Sequence, residues 1–484
     1  MIYYSPLVNT STPGLPDSPF WYMGINGGAT EPKLIYFDAD GSPTYTDLST
    51  AAMTAANWSG LRNEWTACTL AGYDLFNVAA SGTAPFYYDQ VAGGATVTAL
   101  TASGFPATTT TNAIRAYRDF AVAFGVNNLS GAQSQTLWWS DRWVPGAAPP
   151  TWTPAATNEA GSTDLSDAFG ALVDGLSLGR SFIVYKQNSC YRMTYIGGPA
   201  VMQFENISRQ AGCMARNCIA RVGESHVVLT RDDVIMLNAD GNIQSLARGK
   251  IRNEIFDSLD AATWDQSFVV YHPVREQVFV FTHDGSADIG NRNGWVLSLR
   301  DGAWAKWDPE VTGDNTWPTD YPTAGGMGPA GLETGSQAPE HRAVIAYPRG
   351  ATTGTRTFLS MDDDGVAVGP GAGKAIELAN NHLLRRNLID FGEPDQRKLV
   401  RGVRLIGTFA ASDAITVNVY ARDGRDAAAS LAATGTFTSG GDRVDLLADG
   451  RFFDLELTAA PDATILPPWR LEGFQVDVET RGRF

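Results

Sequence analysis

Few residues of this chain stand in spacings that do chemistry, and the most suggestive run is Gly175-Leu176-Ser177-Leu178-Gly179. Gly-x-Ser-x-Gly is the pattern of a hydrolase nucleophile elbow, where a buried strand turns sharply into a helix and exposes the serine hydroxyl for attack. Here Phe182 to Tyr185 follow as a strand and not as a helix, so the run reads as a turn. Cys213 and Cys218 are close enough for a pair of thiolate metal ligands. No histidine nearby completes a tetrahedral set, because His226 falls inside an apolar run, and the two read as small buried thiols. Asp38-Ala39-Asp40-Gly41 and Asp362-Asp363-Asp364-Gly365 resemble pieces of calcium loops. Both lack the further oxygen ligands and the bidentate glutamate, and are expected to be hairpin turns.

Other candidates thin out in the same way. The five histidines show no His-x-His or His-Glu-x-x-His spacing, and His226 and His272 are expected as packed or turn residues. Gly371-Ala372-Gly373-Lys374 runs into Ala375, without the hydroxyl residue of a phosphate-binding loop. Ser298-Leu299-Arg300-Asp301-Gly302-Ala303-Trp304 approaches a sialidase-type turn with the wrong spacing. Among 52 acidic residues, proximity in sequence identifies no glycosidase pair. Trp138-Trp139 have the faces to stack a sugar, but paired aromatics in a strand read as core. Arg385-Arg386 and Arg397-Lys398 are small basic spots. No catalytic, cofactor-binding or metal-ligating residue is assigned on these grounds, no cofactor is implied, and a non-enzyme is expected.

What would position any such residues is a repeated hairpin. His226 to Thr230, a turn at Arg231-Asp232-Asp233, and Val234 to Leu237 lead into Asp240-Gly241. Phe268 to Tyr271, a turn around His272 to Arg275, and Gln277 to Phe281 lead into Asp284-Gly285. Short, nearly continuous apolar runs separated by turn chemistry read as buried antiparallel hairpins, and Asp-Gly supplies the positive-φ positions tight turns need. A hairpin cannot bury its own two faces, so repeated hairpins must stack on each other, and radial stacking gives a β-propeller.

Bulk properties agree. With 44% hydrophobic residues, 13 Trp, 22 Phe and 16 Tyr the chain can fill large cores, while 50 Gly and 25 Pro fit short strands and frequent turns. The expected class is all-β: a propeller of about six blades, with seven as the near alternative, plus a small C-terminal β-sandwich. Residues 1–30 read as an extended arm, 31–366 as the propeller, 367–389 as a linker and 390–484 as the sandwich. The N-terminal strand is available to close the ring against the last blade. The stretch Trp143 to Thr163, with four prolines, reads as a displayed loop of the kind that carries partner contacts. A net charge of −16 argues against gripping a phosphate backbone for affinity, though not against a channel through which nucleic acid slides. No 18-residue apolar stretch and no secretory signal are read, so membrane insertion is not expected and synthesis is placed in a cytoplasm.

With the hairpins placed, the chain resembles the tail hub or nozzle proteins of short-tailed bacteriophages, including phage stabilisation proteins. The resemblance runs from about Leu178 to Asp308: Gly179 to Tyr185 with Ser189 to Tyr195, then Cys218 to Asp240, Arg248-Gly249-Lys250-Ile251, and Ile251 to Val280. Asp390-Phe391-Gly392, Arg397 to Val400 and the β-rich tail are similar too. What the resemblance implies is a virion component: a hexameric ring below the portal and head-to-tail adaptor. Such a ring continues the DNA channel without specific binding, helps retain the genome, and carries tailspikes or fibres. The family supplies no catalytic residues. The alternative, from the Trp-rich strands and Gly-rich loops, is a carbohydrate- or receptor-binding propeller, with a propeller glycosidase behind it.

Overall fold

The computed structural model describes residues 2–5, 20–26, 32–38, 45–50, 65–79, 84–89, 96–106, 109–128, 131–132, 134–285, 291, 293–307, 324–329, 341–348, 356–360, 382–408, 415–425, 427–437, 443–459 and 470–482. Among them, seven consecutive antiparallel sheets build the propeller. Blade 1 holds β1 (Ile2–Ser5), β2 (Phe20–Asn26), β3 (Pro32–Asp38) and β4 (Tyr45–Asp47). Blade 2 holds β5 (Trp65–Leu70), β6 (Tyr73–Val78), β7 (Phe86–Asp89) and β8 (Thr98–Ala99). Blade 3 holds β9 (Ala113–Tyr117) and β10 (Phe120–Phe124), then a ribbon of β11 (Asn127–Asn128) and β12 (Gly131–Ala132), then β13 (Thr136–Trp139) and β14 (Gly161–Asp164). Blade 4 holds β15 (Leu172–Leu178), β16 (Ser181–Lys186), β17 (Cys190–Gly197) and β18 (Val201–Ser208). Blade 5 holds β19 (Ile219–Val222), β20 (Ser225–Leu229), β21 (Val234–Asn238) and β22 (Ile243–Ser245). Blade 6 holds β23 (Phe268–His272), β24 (Gln277–Thr282), β25 (Asn293–Ser298) and β26 (Trp304–Trp307). Blade 7 holds β27 (Ala324–Pro329), β28 (His341–Pro348) and β29 (Arg356–Ser360). The first strand of each blade lies beside the first strand of the next, and β27 returns beside β1.

The ring is held by cores that lie between blades. In β10, Phe120, Val122 and Phe124 point into the core shared with blade 4, while Ala121 and Ala123 point into the core shared with blade 2. In β16, Phe182 and Val184 face blade 3 and Ile183 and Tyr185 face blade 5. Side chains alternate along a strand, so a blade buried on both faces needs apolar residues at every position. That is why these strands read as unbroken apolar runs. Where blades 1 and 2 meet, a Cβ on Gly24 would lie 2.3 Å from the Trp65 ring, so only glycine lets that buried indole in.

Several expectations change. Seven propeller sheets are found among the described residues, the near alternative to six. The two apolar repeats are out of phase: the first supplies the second and third strands of blade 5, the second supplies the first and second strands of blade 6. Residues 1–30, expected as an arm, contribute β1 and β2, which pair with each other and with β3 in a blade of their own. The N-terminal strand therefore neighbours the last blade without completing its sheet. Pro- and Gly-rich composition hid these strands, because turn residues dominate the segment around two short apolar runs.

The second compact unit contains Ile376–Phe484. Its described strands form two sheets, β30 (His382–Ile389) with β35 (Phe452–Ala459), β32 (Ile415–Arg422) and β33 (Ser430–Phe437), and β34 (Arg443–Gly450) with β31 (Arg397–Thr408) and β36 (Arg470–Gly482). Val403, Leu405, Val417, Val419, Leu446 and Leu455 fill the space between them. β30 lies in the stretch read as linker.

Candidate functional site at the propeller axis

The residues read as chemical candidates are structural where they are described. The whole of Leu172–Leu178 is strand β15, with Ser177 inside it and Gly179 at φ +57° in the turn to β16, so no strand-to-helix elbow forms. The Ser177 carbonyl accepts from His226 Nε2 at 3.1 Å, which places the imidazole proton on Nε2 and leaves Nδ1 to accept from the Tyr185 hydroxyl at 3.0 Å. Burial drives the His226 pKa down to about 4, so the ring is neutral near pH 7. Cys213 and Cys218 are fully buried and donate weakly to the carbonyls of Ala215 and Ser267; burial raises both thiol pKa values above the ordinary range. His272 Nδ1 accepts from the Arg275 N–H across the β23–β24 turn.

Asp301 closes the β25–β26 turn, its carboxylate accepting from the Ala303 N–H at 3.1 Å, with Gly302 at φ +68°. Trp138 and Trp139 point to opposite faces of β13, Trp138 onto Phe105 and Trp139 onto Phe204, and are blade core. Trp143 and Trp152 anchor the long loop of blade 3 against Tyr73 and Phe105, leaving Val144 exposed. Lys398 donates to the carbonyls of Gln396 and Arg451, and Arg397 faces Asp423 and Asp449. The Asp40 and Asp362 turns and the Gly371–Lys374 run lie outside the described residues, as do the side chains of Arg385 and Arg386.

The constellation that sequence reading missed sits on the inner strands. Arg115 projects from β9 and Asp174 from β15. Between Leu172 and Asp174 the pairing with β16 shifts register, and this bulge at Val173 re-aims the Asp174 side chain. Arg115 Nε and Nη2 grip the Asp174 carboxylate at 2.8 and 2.7 Å, a bidentate fork. The N–H groups of Gly175 and Asn217 donate to the same carboxylate at 2.8 and 3.0 Å. Two oxygens offer about four acceptor positions, and all four are used. Arg115 also donates to the Ala67 carbonyl at 3.0 Å and to Asn217 Oδ1 at 2.9 Å. Asn217, at φ +60° where asparagine is tolerated, donates from Nδ2 to the Trp65 carbonyl at 3.1 Å, and its own carbonyl accepts from Val269 N–H at 2.9 Å. Three residues, by side chain and, toward blade 6, by the Asn217 main-chain carbonyl, thus tie blades 2 through 6 together. The signal was present as lone charges inside apolar inner strands, in Ala113-Ile114-Arg115-Ala116-Tyr117 and Leu172-Val173-Asp174-Gly175-Leu176.

One residue before Asp174 and Asn217 along their chains, a cavity of about 100 Å³ opens where the connections into blades 3 to 6 converge. Asn112, Gln187, Arg216, Trp264 and Asp265 border it, over an apolar floor that includes Leu172 and Met214. Asn112 Nδ2 is held by the Leu172 carbonyl at 3.1 Å, and the Arg231 guanidinium lies 5.1 Å from the Trp264 ring centroid.

No family model and no curated protein matches the chain. Among solved structures, AztD from Citrobacter koseri in its apo form is similar at 12% identity and TM-score 0.32, covering 72% of this chain and 97% of its own. Human WBSCR16 is similar at 8% and 0.33, over 69% and 82%. A glycoside hydrolase is similar at 11% and 0.27, over 96% of both chains. Likeness this loose carries no function from those proteins to this one.

Proposed function

We propose that this chain is a structural component of a short-tailed phage virion, a tail hub or nozzle subunit, and not a catalyst. The observation that carries the reading is the commitment of the axial charges to one another. In a propeller the axis is where inner strands converge and a reacting group could be surrounded. Here the axial carboxylate of Asp174 has its acceptor positions filled by Arg115 and two backbone N–H groups. That arrangement suits a rigid scaffold and leaves this carboxylate no room to exchange a proton with a substrate.

The remaining features suit assembly. The blade 3 loop is fastened by two buried indoles while Val144 is 57% exposed, and Phe169 stands 86% exposed on the connection into blade 4. Large apolar side chains held out on fastened loops are the kind of group that anchors a protein–protein interface. A net charge of −16 favours sliding of DNA over adhesion. In this reading six copies form a ring beneath the head-to-tail adaptor, the duplex passes through the ring without sequence readout, and exposed loops meet the adaptor and the tailspike or fibre.

The test is direct. The full chain, alone and mixed with the adaptor protein of the same phage, should give six-fold rings by electron microscopy. A chain that stays monomeric at tens of micromolar and binds neither adaptor nor tail particles overturns the reading.

A further inference from the structure

The two sheets of the sandwich end, among the described residues, in four edge strands: β30, β33, β34 and β36. An edge strand presents main-chain N–H and C=O groups that another strand can take up, and charged side chains along it are a common guard. Three of the four edges are guarded: β30 carries Arg385 and Arg386, β34 carries Arg443 and Asp445, and β36 carries Asp477 and Glu479. The fourth, β33, reads Ser430-Leu431-Ala432-Ala433-Thr434-Gly435-Thr436-Phe437, with neither a charge nor a proline. Its inner side is firmly seated. Phe437 belongs to the core between the sheets, and a Cβ on Gly435 would lie 2.3 Å from Val444 of the facing sheet. Pairing with β32 uses one side of the strand only. A register shift bulges Ala432 and leaves Ala433 to Phe437 as a regular run, with Thr434 and Thr436 exposed.

The distribution of charge selects the occupant. With a net charge of −16, two copies of this chain repel wherever their carboxylates face each other. Beside β33, strand β32 has Arg422 as its one charged residue, at its end and paired with Asp454. One strand further in, Glu456 accepts from Asn418 Nδ2 at 3.1 Å and from the Tyr420 hydroxyl at 3.2 Å. Two β33 strands laid side by side would hold their Glu456 carboxylates five strand spacings apart, about 24 Å. The Debye length at physiological salt is about 8 Å, so that repulsion is screened out. Of the four edges, this is the one along which two copies meet without bringing charges together. We propose that β33 is the docking edge for a second copy of this chain. The two β33 strands pair antiparallel about a two-fold axis near Thr434 and join two four-stranded sheets into one. The inference stands apart from the virion reading, because two-fold pairing doubles a particle, whereas closing a six-fold ring takes a different, head-to-tail surface.

Analytical ultracentrifugation of the full chain over a dilution series reads the pairing. Toward tens of micromolar the parent should double in mass, from one chain to two, or from single to doubled rings where rings form. Thr434→Lys and Thr434→Asp each set like charges across the axis and should need about fivefold more protein to double at low salt. An equimolar mixture of the two sets opposite charges there and should double at the parent's concentration. Both variants lose the Thr434 hydrogen bond to Asn418 Oδ1, 2.8 Å in the parent, so recovery on mixing isolates the contact between copies from any damage to the strand. A parent that never doubles, variants that double as the parent does, or a mixture that fails to recover overturns the proposal. The virion reading fails differently, by the absence of six-fold rings and of adaptor binding, so the two failures are told apart.

Discussion

The propeller axis and the outer face of the β34-β31-β36 sheet use the same side chains for opposite purposes. At the axis, one arginine and one aspartate, 11% and 1% exposed, are held by backbone groups of Ala67, Gly175 and Asn217 from blade 2, blade 4 and the connection into blade 5. On the sandwich sheet, Arg443 meets Asp445 at 2.8 Å and Asp477 at 3.1 Å, Arg397 meets Asp449 and Asp423 at 3.4 and 3.5 Å, and Arg401 pairs with Glu479, all with substantial exposure. Water already solvates the second set, so each exposed pair adds at most about 1 kcal/mol. The axial pair has given up its water, and its value shows when one partner is removed and the other is left buried. A count of ion pairs would rank the sandwich face first; burial ranks the axis first.

The sharpest way to break that comparison is Asp174→Ala. It leaves the Arg115 guanidinium in the axis with no carboxylate and frees the Asn217 N–H, and should lower stability by about 3–5 kcal/mol. Chemical denaturation followed by tryptophan fluorescence reads it, since Trp65 and Trp295 are buried in the blades. A loss below about 1 kcal/mol would mean that the axis is solvated after all. Asp174→Asn keeps the shape and part of the hydrogen bonding and should fall between the two.

The next effect lies in the pH profile. His226 is fully buried with a pKa lowered from 6.5 to about 4. The unfolded chain therefore binds the proton first. Stability is full above about pH 6.5 and falls as pH drops toward 4, by about 3 kcal/mol in all. His226→Phe removes the titration and should flatten the profile over that window, at the cost of the Tyr185 hydrogen bond. A parent and variant with parallel profiles between pH 7 and 4 would contradict the neutral buried ring.

Two lysines extend the comparison from ion pairs to ammonium groups held chiefly by backbone carbonyls. Lys186, at the end of β16, donates to Gln135 Oε1 at 3.0 Å and to the carbonyls of Leu165 and Ala168. Lys398, on β31, donates to the carbonyls of Glu393, Gln396 and Arg451. Burial depresses the pKa of both ammonium groups below the ordinary lysine value. Each fastens a loop by its backbone in place of a carboxylate partner. Lys186→Met and Lys398→Met should each cost about 1–3 kcal/mol, the scale of leaving buried carbonyls without a donor, and calorimetry of the two variants measures both.

The blade strands were legible because burial on both faces forces apolar residues at consecutive positions, as in Phe120 to Phe124 and Phe182 to Tyr185. The phase of the repeat was not, since β20–β21 and β23–β24 are equally greasy and nothing in either marks which strand is innermost. The N-terminal blade was hidden by its turn residues. The axial network was hidden by distance: Arg115 and Asp174 are 59 positions apart, and Asn217 is 102 from Arg115. Only the ring brings them together. The cavity residues share that problem, coming from four separate connections that each look like ordinary loop sequence.

The smallest effect tests the other half of the comparison. Arg443→Ala removes contacts to Asp445 and Asp477 from a solvated face and should change stability by no more than about 1 kcal/mol. At 1 M salt the Debye length shrinks to about 3 Å, so even that difference should vanish, while the loss caused by Asp174→Ala should persist because its charges are out of reach of the ions. Measuring both variants at low and high salt separates burial from charge pairing as the source of stability. If Arg443→Ala proved the costlier change, or if salt erased the Asp174→Ala loss, the axis would have to be regarded as one more wetted surface, and the rigidity attributed to it would have to come from the cores between the blades alone.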